Sequence, residues 1–310
     1  MDSQAVNIKN SKSKKKISNR RKNDIKWAYI LILPTVLGIT IFYVGAFFQN
    51  LFYSFTDMGA FGKWSWIGID NYKRLIFDPE VRQTLINTLK YTIFSVPCTI
   101  IVAIVVAALL NSKIKGIGIY RTLFFLPAVT MPAAIAMVWK WLYNGQFGLV
   151  NSLLAKIGIN GPAWIADPRF ALPAIVVVSV WMSIGFNMVI LLAGLQGIPQ
   201  SYYEAASIDG ATPIQQFFKI TIPLLSPTIF FISIMALIKA FQTFDLIYLM
   251  IGKSSVAMDK TRTIVYLFYK YAFEWYEKGY AAAIAVLIFI IIMIVTIIQL
   301  RLQKKWVHYE

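Results

Sequence analysis

Two short sets of polar residues interrupt long apolar runs of this chain. Ser179, Ser183 and Asn187 recur at i, i+4 and i+8, so a helix places them on one face, with Phe186 beside them. Lys239, Gln242 and Thr243 recur at i, i+3 and i+4, and Asp245 stands farther along. Hydroxyls, amides and an ammonium beside an aromatic ring suit a hydroxyl-rich solute, which needs donors, acceptors and an apolar platform. The same groups also hydrogen-bond one helix to another with no ligand present. Lys239 is the most demanding of them. A charge at mid-membrane costs at least about 2.5–3.5 kcal/mol on insertion scales, so its ammonium requires a carboxylate, a water-filled cavity or an anionic solute. Asp245 falls about 240° round the helix from Lys239 and is a poor partner within the helix.

None of these residues makes a catalytic or metal constellation. The membrane segments carry neither paired carboxylates nor a His/Asp cluster, which argues against a membrane enzyme. Cys98 and His308 are each the only residue of their type, so no internal disulfide and no Cys/His metal set is available. Gly252-Lys253-Ser254 imitates the end of a phosphate-binding loop, but Ile247 occupies the position of its first glycine.

The elements that must position these groups are membrane spans. Of the 310 residues, 58% are hydrophobic and 14% charged, against about 45–50% and about 25% in an average soluble domain. Six stretches are long enough to cross about 30 Å of hydrocarbon as helices: Trp27–Phe55, Ile86–Leu110, Tyr120–Tyr143, Phe170–Gly194, Pro223–Ile251 and Gly279–Leu300. Residues 100–110 and 284–298 are apolar on nearly every face and rich in β-branched residues, yet in lipid the backbone must satisfy itself, which selects helix. The first stretch is too long for a signal-peptide core and has no small-residue cleavage site after it, so it is expected to stay as an anchor.

The net charge of +16 does not indicate nucleic acid, because nine basic residues from Lys9 to Lys26 face only Asp2 and Asp24 in the first 26 positions. A basic tail before a membrane helix is an orientation signal that stays in the cytoplasm, with weak attraction to anionic membrane lipids as a side effect. Six crossings then return the carboxyl end to the same side. The organisation expected is a disordered basic cytoplasmic tail over 1–26, one membrane domain over 27–303 and a short cytoplasmic tail over 304–310.

The loop from Gln196 to Ile222, between the fourth and fifth spans, does not have the composition of a linker. Ser201 is placed to cap a short helix through Tyr202-Tyr203-Glu204-Ala205-Ala206, and Gly210 permits the positive φ that ends it. Pro213 suits the first turn of a second helix, with Phe217, Phe218 and Ile220 on its apolar face. Pro223 then opens the next span. Such a helix–turn–helix either packs under its own bundle or presents a docking surface to a cytoplasmic partner.

The spacing of this loop resembles the EAA loop of binding-protein-dependent importer permeases, a family with the pattern Glu-Ala-Ala, three residues, Gly, nine residues, Ile-x-Leu-Pro. Here it reads Glu204-Ala205-Ala206, Gly210, then Ile220-x-Ile222-Pro223, with isoleucine for leucine as its only departure. The likeness runs from about residue 27 to 310 and is nearest the maltose, raffinose and glycerol-3-phosphate branch. It is carried by Trp66-Ile67-Gly68-Ile69-Asp70-Asn71-Tyr72, Asn87-Thr88-Leu89, Tyr120-Arg121-Thr122-Leu123-Phe124-Phe125-Leu126-Pro127, Ala163-Trp164 with Asp167-Pro168, and Phe244-Asp245-Leu246-Ile247-Tyr248. Where that branch usually has Gly-Gly-Pro after the fifth span, this chain has Gly252-Lys253-Ser254-Ser255.

The resemblance implies an all-α integral membrane protein of six transmembrane helices, both termini cytoplasmic, with the coupling loop between helices 4 and 5. It implies a non-catalytic permease subunit of an ATP-binding-cassette importer that moves a sugar or related polyol through the cell membrane. Its partners would be a second homologous permease, a cytoplasmic ATPase dimer and an extracytoplasmic solute-binding protein. No cofactor belongs to this chain; ATP and Mg are bound by the partner ATPase. Glu204, Ala205, Ala206, Asp209 and Gly210 would couple to that ATPase. Alignment with the sugar-importing relatives places Ser179, Met182, Ser183, Phe186, Ala236, Lys239, Ala240 and Thr243 on the substrate pathway, beside Asn187 and Gln242 from the polar faces themselves. A permease for glycerol-3-phosphate or another anionic solute, an amino acid, an ion or a peptide is the alternative within transport. A secondary carrier or channel acting alone is disfavoured, since it needs no ATPase dock.

Overall fold

The computed structural model of the chain describes residues 19–112 and 115–307. Residues 1–18 of the expected basic tail and 308–310 of the expected C-terminal tail lie outside the described residues. Among the described residues the secondary structure is helical, apart from an isolated bridge between Thr56 and Trp66. Five helices are long and apolar enough to cross a membrane, and a bent pair makes a sixth when counted as one span.

The chain divides into two compact units, residues up to Asn50 and residues from Leu51 onward. The first unit holds α1 (Asn19–Ile39), which continues through a π-helical turn (Thr40–Gly45) into α2 (Ala46–Tyr53), whose last three residues are counted with the second unit. The helix therefore starts at Asn19, inside the segment expected to be disordered up to residue 26. Once the apolar run is helical, the preceding Arg20, Arg21, Lys22 and Lys26 extend it at the cost of ordinary propensity only.

In the second unit, α3 (Asp70–Phe77) leads to α4 (Pro79–Leu110), whose amino end is capped by Asp78 accepting from Glu80 N–H at 2.8 Å, with Pro79 in the first turn. This start lies before Ile86, because the cap and the proline set the helix end and apolarity does not. The expected third span is two helices, α5 (Ile117–Val129) and α6 (Pro132–Leu142), bent by 100°. Met131 precedes Pro132 and adopts φ −57°, ψ 126°, because proline Cδ disfavours the α conformation of the residue before it. A short helix α7 (Leu149–Lys156) follows, and then α8 (Ala171–Gln196).

α8 is the axis of this unit and packs against both α4 and α5. Ala103 and Ala107 of α4 are fully buried and let α4 lie close to Ile184, Met188 and Leu191 of α8. Gly185 serves the same end toward α5, since a Cβ there would collide with the Phe124 carbonyl.

The loop after α8 holds α9 (Gln200–Ile208) and α10 (Pro213–Gln216); a π turn (Phe217–Thr221) then runs into α11 (Ile222–Phe241). Pro223 does not open the span, since helix is continuous from Pro213 to Phe241. The π turn lets Ile222 N–H reach Phe217 O and accommodates the proline that follows, which has no N–H to donate. The fifth span also ends earlier than expected. It stops at Phe241, unwinds through 242–244 and resumes as α12 (Asp245–Met250). Two further short helices, α13 (Met258–Thr261) and α14 (Ile264–Tyr269), and a π turn (Lys270–Glu274) precede α15 (Lys278–Trp306).

Candidate functional site

The ten residues expected on the pathway line one cavity of about 410 Å³ in the second unit. Ser179, Met182, Ser183, Phe186 and Asn187 come from α8, Lys239 from α11, and Gln242 and Thr243 from the break that follows. Ala236 and Ala240 also border it, without a polar side chain. Not every polar group is free. Asn187 is buried and its amide donates to Ser183 O at 2.9 Å, so much of its hydrogen-bonding capacity is spent on its own helix. Ser179 Oγ accepts from Tyr91 Oη at 2.5 Å, which ties α8 to α4. The Lys239 ammonium sits 4.9 Å from the centroid of the Phe186 ring, an attraction that compensates part of its lost hydration.

The break between α11 and α12 forms one wall. Phe244 leaves the helical conformation (φ −142°, ψ −55°) and stacks on Tyr248 at 5.1 Å, with Tyr269 4.9 Å away. The carbonyl of Thr243, freed by the break, accepts from Thr263 Oγ1 at 2.8 Å. Irregular backbone at membrane depth is stable only where it is satisfied or lines a cavity, and here both hold. On the other side, Ala128 and Pro132 bring the bend between α5 and α6 to the same cavity.

Sequence reasoning missed the contribution of α4. Tyr91, Ser95 and Thr99 line the cavity, and they recur at i, i+4 and i+8, the spacing of Ser179, Ser183 and Asn187 on α8. That polar stripe within an apolar span was the available signal.

In the loop after α8, Pro199 takes the cap position and Ser201 lies in the first turn of α9 without capping it. Gly210 has φ +77°, and Ala211 N–H closes the helix on Ala206 O at 2.9 Å. Thr212 caps α10 through a reciprocal pair with Gln215, at 2.8 and 3.3 Å. The Thr-x-x-Gln spacing carries that signal in the sequence. Two bonds hold the halves of the loop together: Tyr203 Oη with Thr221 Oγ1 at 3.0 Å, and Gln216 Nε2 to Ser207 Oγ at 3.0 Å. Glu204, Ala205, Asp209 and Gly210 are exposed and Ala206 half-buried, flanked by exposed Tyr202, Ile208, Ile214 and Phe218. The loop carries exposed acids and apolar groups and lies apart from the cavity lining.

A charged lattice ties the segment between α12 and α15 to α4. Glu80 receives Arg262 Nη1 at 3.2 Å and Lys270 Nζ at 3.0 Å, and Arg262 Nη2 also meets Asp259 at 2.7 Å. Asn87 donates to the carbonyls of Asp259 (2.9 Å) and Arg262 (3.0 Å), and Ile264 N–H donates to Thr88 Oγ1 at 3.0 Å. Burial, and next the negative charges of Asp78 and Glu80, push the Tyr271 phenol up to about 12. No group of three or more metal-ligating side chains occurs among the described residues.

Residues 79–308 match the family described as binding-protein-dependent transport system inner membrane component. The chain belongs to this family. The permease is 38% identical over 299 residues, 96% of both chains, to the probable ABC transporter permease protein YesP of Bacillus subtilis. It is 35% identical to the multiple sugar-binding transport system permease protein MsmF of Streptococcus mutans, covering 90% of this chain and 95% of that one. It is also 32% identical to the sn-glycerol-3-phosphate transport system permease protein UgpA of Pectobacterium atrosepticum, covering 91% and 95%. In fold the permease is similar to a chain of a bacterial alginate ABC transporter crystallised with an alginate pentasaccharide-bound periplasmic protein. The TM-score is 0.82 at 21% identity, over 93% of this chain and 98% of that one.

Proposed function

We propose that this permease carries a sugar or related polyol into a bacterium across the cytoplasmic membrane, as one subunit of an ATP-binding-cassette importer. The observation that carries the reading is the cavity, where a polar lining from three helices meets two backbone breaks within apolar spans. The amino terminus and the loop of α9 and α10 face the cytoplasm in this reading. Glu204 and its neighbours dock on a cytoplasmic ATPase dimer, which binds ATP and Mg and does the hydrolysis. A second permease completes the pathway, and a solute-binding protein delivers the solute from outside. Alternating access then consists of the ATPase moving the protruding loop, and with it α8 and α11, the two helices the loop joins. Support comes from relatives whose names give sugars and glycerol phosphate as their solutes.

The test is reconstitution of the permease with its partner permease, ATPase and binding protein in proteoliposomes. The expected result is uptake of a labelled sugar that requires ATP and the binding protein together. ATP-independent uptake by the permease alone overturns the reading in favour of a lone carrier.

A further inference from the structure

Lys239 and Asp245 both line the cavity, and neither makes an ion pair among the described residues. Lys239 lies in the last turn of α11, where the helix dipole favours a cation, and its ammonium rests on Phe186. Those two contacts offset part of the cost of the charge but supply no acceptor for its three N–H donors. The rest of the lining is rich in hydroxyls, from Tyr91, Ser179, Ser183 and Thr243. A ligand that completes this set has one anionic group for Lys239 and several hydroxyls for the remainder. A phosphate monoester, close to a dianion at neutral pH, fits poorly, because the single ammonium shares the cavity with the Asp245 carboxylate. A monoanion leaves one net negative charge in the cavity where the phosphate dianion would leave two, and a single carboxylate is what one ammonium can meet.

We propose that the cavity takes a saccharide carrying one carboxylate, a uronic-acid-type sugar, with the carboxylate on Lys239 and the sugar hydroxyls on Asp245 and the serine and tyrosine hydroxyls. The inference rests on the importer reading above and names its substrate class. Lys239 is then the residue that separates acidic from neutral sugars.

Two measurements keep the readings apart. Uptake into proteoliposomes holding the complete importer is measured for galacturonate, galactose, sn-glycerol 3-phosphate and glutamate. Calorimetric binding of the same four probes to the detergent-purified complex, without binding protein, is measured for wild type, Lys239→Arg and Lys239→Met. The expected result is uptake and binding of galacturonate, weakened about ten- to a hundredfold by Lys239→Met, as for loss of a hydrogen-bonded charge. Lys239→Arg keeps the charge and keeps binding. Uptake of galactose alone, no binding of galacturonate by wild type, or equal binding by wild type and Lys239→Met each overturns the inference and leaves the importer standing. Preference for glycerol phosphate or glutamate overturns the sugar class as well. Lys239→Met complexes that fall apart, while Lys239→Arg complexes hold, assign the ammonium to a carboxylate of the second permease and overturn the inference. No ATP-dependent uptake of any probe overturns the inference, while the importer reading falls only to ATP-independent uptake by the permease alone.

Discussion

Glu80 holds two cations against α4, and replacing it by glutamine removes the charge while keeping the shape. Arg262 and Lys270 have side chains 14% exposed and Glu80 34%. Removing one partner of a fully buried pair costs about 3–5 kcal/mol. The partial exposure of Glu80 lowers that to about 1–3 kcal/mol by solvent screening. Arg262 keeps Asp259 at 2.7 Å, although its Nε is already buried without a partner. Lys270 keeps only ring faces, of Trp275 at 3.9 Å and of Tyr271 at 5.9 Å, and no carboxylate. The loss therefore falls mainly on Lys270 and the π turn that carries it.

The effect should be local, because the lattice stops at residues 258–277 and the amino-terminal part of α4. Hydrogen exchange on the detergent-purified protein reads it directly. The amide of Ile264, bonded to Thr88 Oγ1, should exchange about five- to 150-fold faster in Glu80→Gln, which is the same free energy expressed as an opening equilibrium. Amides in the middle of α8 should not change. Lys270→Gln on the Glu80→Gln background should recover part of the protection, since no cation is left unpaired at that position. Unchanged exchange over 258–277, or strict additivity of the two substitutions, would refute the argument that Glu80 braces this segment.

Glu204→Lys should leave the protein in the membrane but abolish stimulation of ATPase activity by loaded binding protein. Gly210→Val, which forces a β-branched residue to φ +77° at a cost of about 1–2 kcal/mol, should do the same, and normal stimulation in both would remove the coupling role. Gly185→Ala should lower the thermal midpoint in detergent, since its Cβ would meet Phe124 O and lie 2.7 Å from Phe125 Cα, an overpacking of about 1–3 kcal/mol. Gly118→Ala, with nothing within 4 Å, is the control and should not. In a Cys98→Ala background, Ser183→Cys and Thr243→Cys should react with a water-soluble thiol reagent and buried Ile184→Cys should not; equal inertness of all three would mean that the cavity is dry. The Asp167 carboxyl is held below its ordinary 3.8 by its hydrogen bonds from Arg169. A depressed carboxyl stabilises the fold above 3.8, and the contribution fades as pH falls through the lower folded value. Protection of the Arg169 amide, which donates to Asp167 Oδ1 at 2.9 Å, should accordingly persist to below pH 3.8.

The legible parts of the fold were those written in local composition. α8 and α15 lie close to where their apolar runs put them, at Ala171–Gln196 and Lys278–Trp306. The turn at Gly210 and the helix start at Pro213 followed from local dihedral preference. The start of α4 is an end at which capping outweighs hydropathy. α4 begins at Asp78-Pro79, and the cap of α9 is Pro199 rather than Ser201. The break at 242–244 had no local signal, since residues 236–251 contain no proline and no run of polar residues. Its cause is remote: Phe244 is held by Tyr248, Tyr266 and Tyr269, and Thr243 O by Thr263.

The two breaks between helices, in the third and the fifth expected spans, border the same cavity, and this links them to its chemistry. A straight helix in lipid hides all of its backbone polar groups, so it offers a solute only side chains. Breaking the third span at Thr130-Met131 and the fifth at Gln242–Phe244 aims Pro132 and Ala128 from one side, and Gln242, Thr243 and Asp245 from the other, at the face of α8 that bears Ser179 and Ser183. Sequence rules for membrane helices assume the cheapest backbone. They fail where a cavity, an aromatic cluster and a bonded carbonyl together make a costlier backbone stable. In this protein such a departure from regular helix marks the candidate site as clearly as the polar side chains do.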